Sequence, residues 1–331
     1  MAQLLMVLAL VFTGGHTAAA PATSCPPSAE APTPEQVQAG MKAARDRGFL
    51  WRVQKNGHSS YLYGTVHIAR ADWMYPGVTL VNAVRASDVV ALELDVMDPG
   101  IMERLRVGMA WRPERAVSDA LVERLKVQVQ AACLPEQLLT LMSPEMVANT
   151  LTVMAARRDG LDPAYAIDIV MAGLAHGLKK PVLSLETPEL QLQVLQGRTR
   201  EESQAVVEQA LDGLEGGHAA PMLAHIAQIW ADGRFGELER YPQWCACLDT
   251  EEERALHRRL LDERNPALAA QVDTLHMSGK QVFAAVGSLH MIGPIGLPAL
   301  MAQRGYRVER VEFAPPQEKG RDDRVPSALT H

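Results

Sequence analysis

Apolar and polar positions along the chain follow two periodicities, and these predict strands and helices in turn. Runs typical of strands cover residues 49–54, 60–64, 88–94, 181–185, 280–286 and 306–313. The turn Asn56-Gly57 between the first two runs predicts a β-hairpin. Helical patterns fill the intervals, above all residues 99–177 and 187–277, where prolines interrupt them. We therefore expect an α/β protein with a mixed central sheet and long helical insertions.

The first residues have the pattern of an export signal. An apolar run at residues 4–13 is followed by small residues, which predicts a signal peptide over residues 1–22 with cleavage after Ala22. A lipidated Cys25 is a weaker alternative because Ala22-Thr23-Ser24 is a poor lipobox, and a proline-rich stretch opposes a buried N-terminal helix. No later run reaches the length of a membrane span. The mature protein is thus expected to be periplasmic or secreted, with no membrane span.

The rest of the chain divides by composition into three parts. Residues 23–48 are expected to form a linker and an N-terminal helix, residues 49–313 the main domain, and residues 314–331 a disordered polar tail. Hydrophobic residues make up 47% and charged residues 21%, as in an ordinary globular protein. A net charge of −7 without a basic stripe argues against nucleic acid as the partner.

Four cysteines fit an oxidising compartment: Cys25, Cys133, Cys245 and Cys247. We predict one disulfide that joins Cys133 to Cys245 or Cys247. Partly free, buried thiols are the alternative. A zinc site is disfavoured because a second cysteine pair at finger-like spacing is missing from the sequence.

Two segments far apart in the chain share one pattern. Gly64-Thr65-Val66-His67 and Gly287-Ser288-Leu289-His290 each follow an apolar strand, whereas a third Gly-x-x-His, at residues 173–176, falls within a helical pattern. Ligands bind outside the carboxyl ends of strands in open α/β sheets, and histidine can bind a metal or transfer a proton there. His67 and His290 are therefore candidates for a site, and two surface or capping histidines are the alternative.

Carboxylates near other predicted strand ends strengthen this candidate. Alternation along residues 89–95 puts Glu93 and Asp95 on one strand face, and Glu186 follows another apolar run. Two histidines with one or two carboxylates are the ligands of an open catalytic metal centre. Arg264 could clamp a carboxylate or a developing oxyanion. The alternatives are a helix-start carboxylate for Glu186 and a solvated surface cation for Arg264.

In their order along the chain, these motifs resemble the TraB/GumN family over residues 49–313. The resemblance rests on Leu62-Tyr63-Gly64-Thr65-Val66-His67, Leu92-Glu93-Leu94-Asp95, Tyr165-Ala166-Ile167-Asp168, Leu185-Glu186-Thr187, Glu263-Arg264-Asn265, Val286-Gly287-Ser288-Leu289-His290-Met291-Ile292-Gly293 and Gly305-Tyr306-Arg307-Val308. It implies a relation to the metal-dependent TIKI-type proteases, which carry two Gly-x-x-His motifs, and to pheromone-shutdown proteins. Haem-binding proteins and erythromycin esterases are more distant relations.

Carried over residue by residue, the resemblance implies a hydrolase that depends on a divalent ion, Mn, Co or Zn, and acts on a peptide or protein. His67, His290 and Glu93 would bind the metal. Glu186 would accept a proton, Arg264 would stabilise developing negative charge, and Asp168 is a further catalytic candidate. The leading alternative is a non-catalytic protein that binds a peptide or a tetrapyrrole in the same cleft, and the next is a scaffold with structural histidines. The sequence contains neither His-Glu-x-x-His nor Gly-x-Ser-x-Gly.

Overall fold

The computed structural model of the protein describes residues 25–313. The predicted signal peptide and the predicted C-terminal tail lie outside the described residues.

Six strands form one mixed sheet in the order β4-β3-β5-β2-β1-β6. Their bounds are β1 Phe49–Lys55, β2 His58–Thr65, β3 Val89–Leu92, β4 Val182–Ser184, β5 Val282–Gly287 and β6 Arg307–Val311. Strands β4, β3, β5 and β2 run parallel to one another, while β1 is antiparallel to both β2 and β6. Every residue of β5 is buried, as expected for a central parallel strand that is covered on both faces. The predicted α/β fold with a mixed sheet is confirmed.

Helices fill the long intervals between strands. They are α1 Pro34–Lys42, α2 Val78–Ala86, α3 Pro99–Met109, α4 Asp119–Ala131, α5 Leu138–Leu141, α6 Pro144–Met154, α7 Ile167–Gly177, α8 Pro188–Leu195, α9 Arg200–Glu215, α10 Ala219–Ala231, α11 Phe235–Leu238, α12 Tyr241–Trp244, α13 Glu251–His257, α14 Asn265–Met277 and α15 Leu297–Gln303. Short 3₁₀ turns add to them, and the one at Ser288–Met291 follows β5 directly.

The apolar side chains form two cores. The first surrounds the sheet and includes residues of α7, α10 and α14. The second lies among α3, α4, α6, α8 and α9, within the helical insertions. Leu289, in the 3₁₀ turn after β5, packs against both cores. The end of the central strand β5 therefore lies where the two cores meet.

Local sequence signals account for several element boundaries. Asn56 and Gly57 both adopt positive φ, as the two-residue turn of the predicted hairpin requires. Helix α1 begins with Thr33 in a capping box and with Pro34 in its first turn. It ends at Lys42, earlier than the predicted Gly48, because residues 43–48 leave the helix before β1.

Two predicted elements were too long, and both lie at the site described below. Strand β3 ends at Leu92, so the alternation predicted as far as Asp95 was wrong. The continuous helix predicted over residues 251–264 was also wrong, because a π-helical turn at Arg258–Asp262 follows α13 and the chain then starts α14 afresh. Turns of this kind are frequently found at functional sites.

The predicted pairing of Cys133 with Cys245 or Cys247 was wrong. Cys133 is bonded to Cys25, with 5.7 Å between their Cα atoms, and Cys245 is bonded to Cys247. The N-terminal segment lies against the end of α4, where Arg157 donates hydrogen bonds to the carbonyl oxygens of Pro26 and Pro27 and to that of Ala132. This long-range contact brings Cys25 to Cys133, and no local pattern in the sequence reveals it.

None of the helices within residues 25–313 combines the length and the hydropathy that a membrane crossing requires.

Candidate functional site

The two Gly-x-x-His segments lie side by side at the carboxyl ends of β2 and β5. These strands are parallel neighbours, with Gly64 opposite Val286 and Thr65 opposite Gly287. A Cβ atom on Gly64 would lie 2.8 Å from Oγ and 3.3 Å from Cα of Ser288. Glycine is therefore required at position 64 for the close approach of the two segments. The repeated pattern in the sequence corresponds to one shared edge of the sheet.

His67 is held by the first turn of α7. The amide of Ile167 donates to the carbonyl oxygen of Val66 over 2.9 Å, which fixes α7 beside the segment. Asp168 then places Oδ2 2.6 Å from Nδ1 of His67, within ion-pair distance. Its Oδ1 atom accepts the hydroxyl of Thr65 over 2.5 Å. The carboxylate of Asp168 thus favours a proton on Nδ1 of His67 and points Nε2 away.

His290 has a similar arrangement with a neutral partner. Its Nδ1 atom lies 2.5 Å from Oδ1 of Asn265, the first residue of α14, and the amide nitrogen of Asn265 donates to the carbonyl oxygen of Ile295. Because an amide oxygen only accepts, Nδ1 of His290 carries the proton and Nε2 presents a lone pair. The Nε2 atoms of both histidines are buried and have no hydrogen-bond partner within the described part of the chain.

A buried cluster of Arg264, Glu93 and Glu186 lies next to the histidines. Arg264 donates from Nε to Oε1 of Glu186 over 2.8 Å, and from Nη2 to Oε2 of Glu186 and of Glu93 over 2.5 and 2.6 Å. Gln191 donates to both carboxylates, and Oε1 of Glu93 accepts the amide of Gly287. The bridging guanidinium therefore holds the two glutamates together beside the end of β5.

The sheet itself places the two glutamates in register. Backbone hydrogen bonding between β3 and β4 continues past the strand ends, from Leu185 to Leu92 and from Glu186 to Glu93. Asp95, by contrast, contacts Nε2 of His176 over 3.0 Å and is not part of the cluster. Glu93 and Asp95 therefore contact different residues, although alternation predicted that they share one strand face.

The local electrostatics separate the two histidines. Burial opposes protonation of His67, but the carboxylate of Asp168 outweighs this effect and the pKa of His67 is raised. Burial, together with the positive charges of Arg264 and His67, holds the pKa of His290 well below its usual range. Burial also raises the pKa of Glu93 against the opposing effect of Arg264. When both histidines are neutral, the three carboxylates of the site outnumber its guanidinium among the described residues, which favours binding of a cation.

An apolar pocket opens beside His67. Its walls include the segments 65–68 and 287–289 together with residues of α10 and of the chain from Leu248 to Leu261. The structure thus joins a polar cluster at the sheet edge to an apolar space in front of it, an arrangement common in ligand sites.

All six of the residues predicted for the site lie in this region: His67, Glu93, Asp168, Glu186, Arg264 and His290. Sequence reasoning assigned no separate role to Thr65, Gln191 or Asn265. For Asn265 a signal was present, since it follows Arg264 directly and precedes Pro266 at the start of a helix. Gln191 carried no signal, because its role follows only from the position of α8 beside both glutamates.

Comparison with known proteins gives one clear match. The model of the TraB/PrgY/gumN family matches residues 49–310, nearly the whole of the described chain. Neither the curated proteins nor the solved structures include a match to it.

Proposed function

Because the chain belongs to the TraB/PrgY/gumN family, we propose that it is a divalent-metal-dependent hydrolase that cleaves peptides outside the cytoplasm. The family assignment by itself covers the fold and not the chemistry, so the activity is argued from the site. The observation that carries the proposal is the pair of buried, unpartnered Nε2 atoms of His67 and His290.

Both histidines have the outer contacts expected of metal ligands. In metal sites the second ring nitrogen of a ligating histidine donates to a carboxylate or carbonyl oxygen, which fixes the tautomer. Asp168 and Asn265 supply these oxygens here, at 2.6 and 2.5 Å from the two Nδ1 atoms. The excess of carboxylates around Arg264 further supports a cation at this position.

Glu93, the proposed third ligand, is less favourably placed to bind a metal ion. Within residues 25–313, no group of three or more His, Cys, Asp or Glu side chains is arranged to hold a metal ion. Both oxygens of Glu93 are engaged, by Gly287 on one side and by Arg264 and Gln191 on the other. In our proposal the two histidines hold the ion, and Glu93 completes the site by turning one oxygen from Arg264.

Each polar group of the cluster has a role in the proposed reaction. When bound, a divalent ion supplies Lewis acidity toward the scissile carbonyl and the attacking water. Arg264 holds Glu93 and Glu186 in place and provides positive charge close to the developing oxyanion. Glu186 would take the proton of the attacking water and pass it to the amine that leaves when the C–N bond breaks, for which it must release one contact with the guanidinium. Asp168 keeps His67 oriented throughout.

Export is the second part of the proposal. Two disulfides, Cys25–Cys133 and Cys245–Cys247, fit an oxidising compartment. The predicted cleavage after Ala22 would leave Cys25 close to the mature N-terminus. Mass spectrometry of protein recovered from the periplasm or the medium tests this part, and an intact Met1 would contradict it.

Calorimetric titration with Mn²⁺, Co²⁺ and Zn²⁺, on protein purified without a histidine tag, tests the metal site. Because His67→Ala and His290→Ala each remove a direct ligand, we expect them to reduce metal affinity at least about 100-fold. Glu93→Ala should reduce it about 10-fold or more. His225→Ala is the matched control, because that histidine pairs with Glu237 at the surface, away from the cluster. Absence of binding by the parent protein, or metal affinity in the two histidine variants equal to that of the parent, would refute the proposal.

Turnover is measured separately with a peptide library read by mass spectrometry. Cleavage that requires added metal and both histidines supports the hydrolase. Metal binding without cleavage of any peptide would leave the non-catalytic alternative, and a visible absorbance on haem titration would identify a tetrapyrrole as the ligand.

A further inference from the structure

The apolar pocket beside His67 is continuous with the polar cluster. Thr65, Val66 and His67 form part of its wall, and so do Gly287 and Ser288 at the end of β5. A molecule in the pocket would therefore touch the two segments that carry the histidines. The pocket encloses a cavity of about 110 Å³ and opens to solvent, which suits one aliphatic side chain.

The remaining walls are mostly aliphatic. They come from α10 and from the segment that leads into the π-helical turn, with Met222, Ile226, Leu248, Leu256, Leu260 and Leu289 as the main lining residues. Several of these side chains are only partly buried in the protein by itself. A ligand that covered them would remove apolar surface from water, which favours an apolar occupant.

The polar groups of the pocket do not offer a site for a charged side chain. The carboxylate of Glu253 is engaged in capping α13, where it accepts the amides of Asp249 and Thr250 over 2.8 Å each. His257, at the end of α13, lies 4.0 Å from Asp262 through Nδ1, and its buried Nε2 atom has no hydrogen-bond partner among the described residues. Nε2 of His257 is thus a polar atom without a hydrogen-bond partner among the described lining residues, as are Nε2 of His67 and Oγ of Ser288.

We propose that this pocket selects peptides with a large aliphatic side chain beside the scissile bond, and that Nε2 of His257 binds the main chain of the same residue. This inference rests on the proposed function, and it adds the substrate class. The aliphatic walls recognise the side chain, the unpartnered imidazole nitrogen recognises an amide or carbonyl group, and His67 lines the same space.

Selectivity is measured with blocked pentapeptides that have glycine at four positions and differ only at the centre, which is Leu, Ala, Lys or Asp. We expect kcat/KM to be about 10–200-fold higher for Leu than for Ala, as for other apolar pockets that distinguish side chains by size. Lys and Asp peptides should be cleaved more slowly than the Ala peptide. Equal rates for Leu and Ala would overturn the inference and leave the proposed hydrolase intact.

Two variants of pocket residues test whether the pocket determines the preference for Leu over Ala. Ile226→Gln and Leu256→Gln place an amide in the apolar wall, and each should lower the Leu to Ala ratio to about one tenth of its parent value or less. Val127→Gln is the matched control, since Val127 is 58% exposed on α4 and does not line the pocket. His257→Phe should raise KM for all four peptides while it leaves the Leu to Ala ratio unchanged. An unchanged ratio in both pocket variants would overturn the assignment of the pocket.

Binding separates this inference from the proposed hydrolysis. Calorimetry of the Leu and Ala peptides with the inactive variant His67→Ala reports on the pocket without turnover. Preferential binding of the Leu peptide that is lost in the double variant with Ile226→Gln supports the pocket even if no peptide is cleaved. Equal binding of both peptides overturns it, whatever the fate of the hydrolase.

Discussion

Nδ1 of His290 lies 2.5 Å from the side-chain oxygen of Asn265, and this contact fixes the tautomer of a fully buried imidazole. Asn265 follows Arg264 in the chain, so that one helix start orients both a histidine and a pair of glutamates. The π-helical turn Arg258–Asp262 separates the preceding helix from this helix start.

The orientation of His290 leads to a first prediction. Asn265→Ala should weaken Zn²⁺ or Mn²⁺ binding about 10–100-fold while the fold is kept, because outer partners of ligating histidines have effects of this size. Asp168→Ala should act in the same way through His67. Asn149→Ala is the control, since Asn149 is also buried but lies on α6 in the helical core. Calorimetric titration decides, and parent-like affinity in Asn265→Ala would contradict a metal ligand at His290.

The buried ion cluster leads to a second prediction, on stability. Arg264→Met should lower the free energy of unfolding by about 3–5 kcal/mol, because it leaves Glu93 and Glu186 buried without their cation. Replacement of the whole trio, by Glu93→Gln and Glu186→Gln in addition, should recover most of the loss. Arg124→Met, which breaks an exposed pair with Asp212 and Glu215, should cost only about 0–1 kcal/mol. Urea denaturation measures all three, and equal losses in the two arginine variants would refute the argument.

A third prediction concerns pH and a histidine outside the site. His276 is buried, accepts the hydroxyl of Ser60 at Nδ1 and contacts the carbonyl oxygen of Lys55 through Nε2. In the neutral imidazole that donates Nε2–H to the carbonyl oxygen of Lys55, Nδ1 accepts the hydroxyl of Ser60, and the same hydroxyl oxygen accepts the amide of Val282. Burial first, and then the neighbouring His58 and Lys55 against Asp273, lower the pKa of this imidazole.

The sign of the effect follows from proton binding. Since the pKa is lower in the folded than in the unfolded state, the unfolded chain binds the proton more readily. Stability is therefore complete above about pH 6.5 and declines as the pH falls below it. The slope of unfolding free energy against pH between 7 and 5 should be smaller in His276→Gln than in the parent. His225→Gln should keep the parent slope, and a parent-like slope in His276→Gln would exclude this histidine as the source.

The disulfides lead to a fourth prediction. Cys25 and Cys133 close a loop across 108 positions, whereas Cys245 and Cys247 are two positions apart. Because the longer loop restricts the unfolded chain more, the Cys25–Cys133 bond should stabilise the fold by about 2–4 kcal/mol more than the Cys245–Cys247 bond. The contribution of the second bond should be about a third of that of the first. Thermal unfolding of Cys25→Ser/Cys133→Ser and of Cys245→Ser/Cys247→Ser compares them. Equal losses of stability in the two double variants would contradict the argument from loop length.

Much of the framework could be predicted from local pattern. The hairpin, β5 and the two Gly-x-x-His segments follow from alternation, turn residues and repetition, which are short-range signals. The residues that contact the side chains of the site, and the disulfide partners, could not be predicted in this way. Gln191 reaches Glu93 across 98 positions, and Cys25 reaches Cys133 across 108. Contacts of this kind depend on how helices pack, and a single sequence does not encode them in any local pattern. The early end of β3 could not be predicted for the same reason. Glu93 lies beyond the strand and contacts the guanidinium of Arg264, which is distant in the sequence.

The position of β5 between β2 and β3 also sets a time order for the protein's synthesis. The hairpin and β3 leave the ribosome long before β5, so the two neighbours of the central strand are made first and lack this shared partner for most of translation. An unfinished chain contains His67 but lacks both His290 and the strand that brings the two together. The chemistry of the site is thus withheld from every product truncated before His290, and a chain that includes β5 and His290 is the first species in which it can exist.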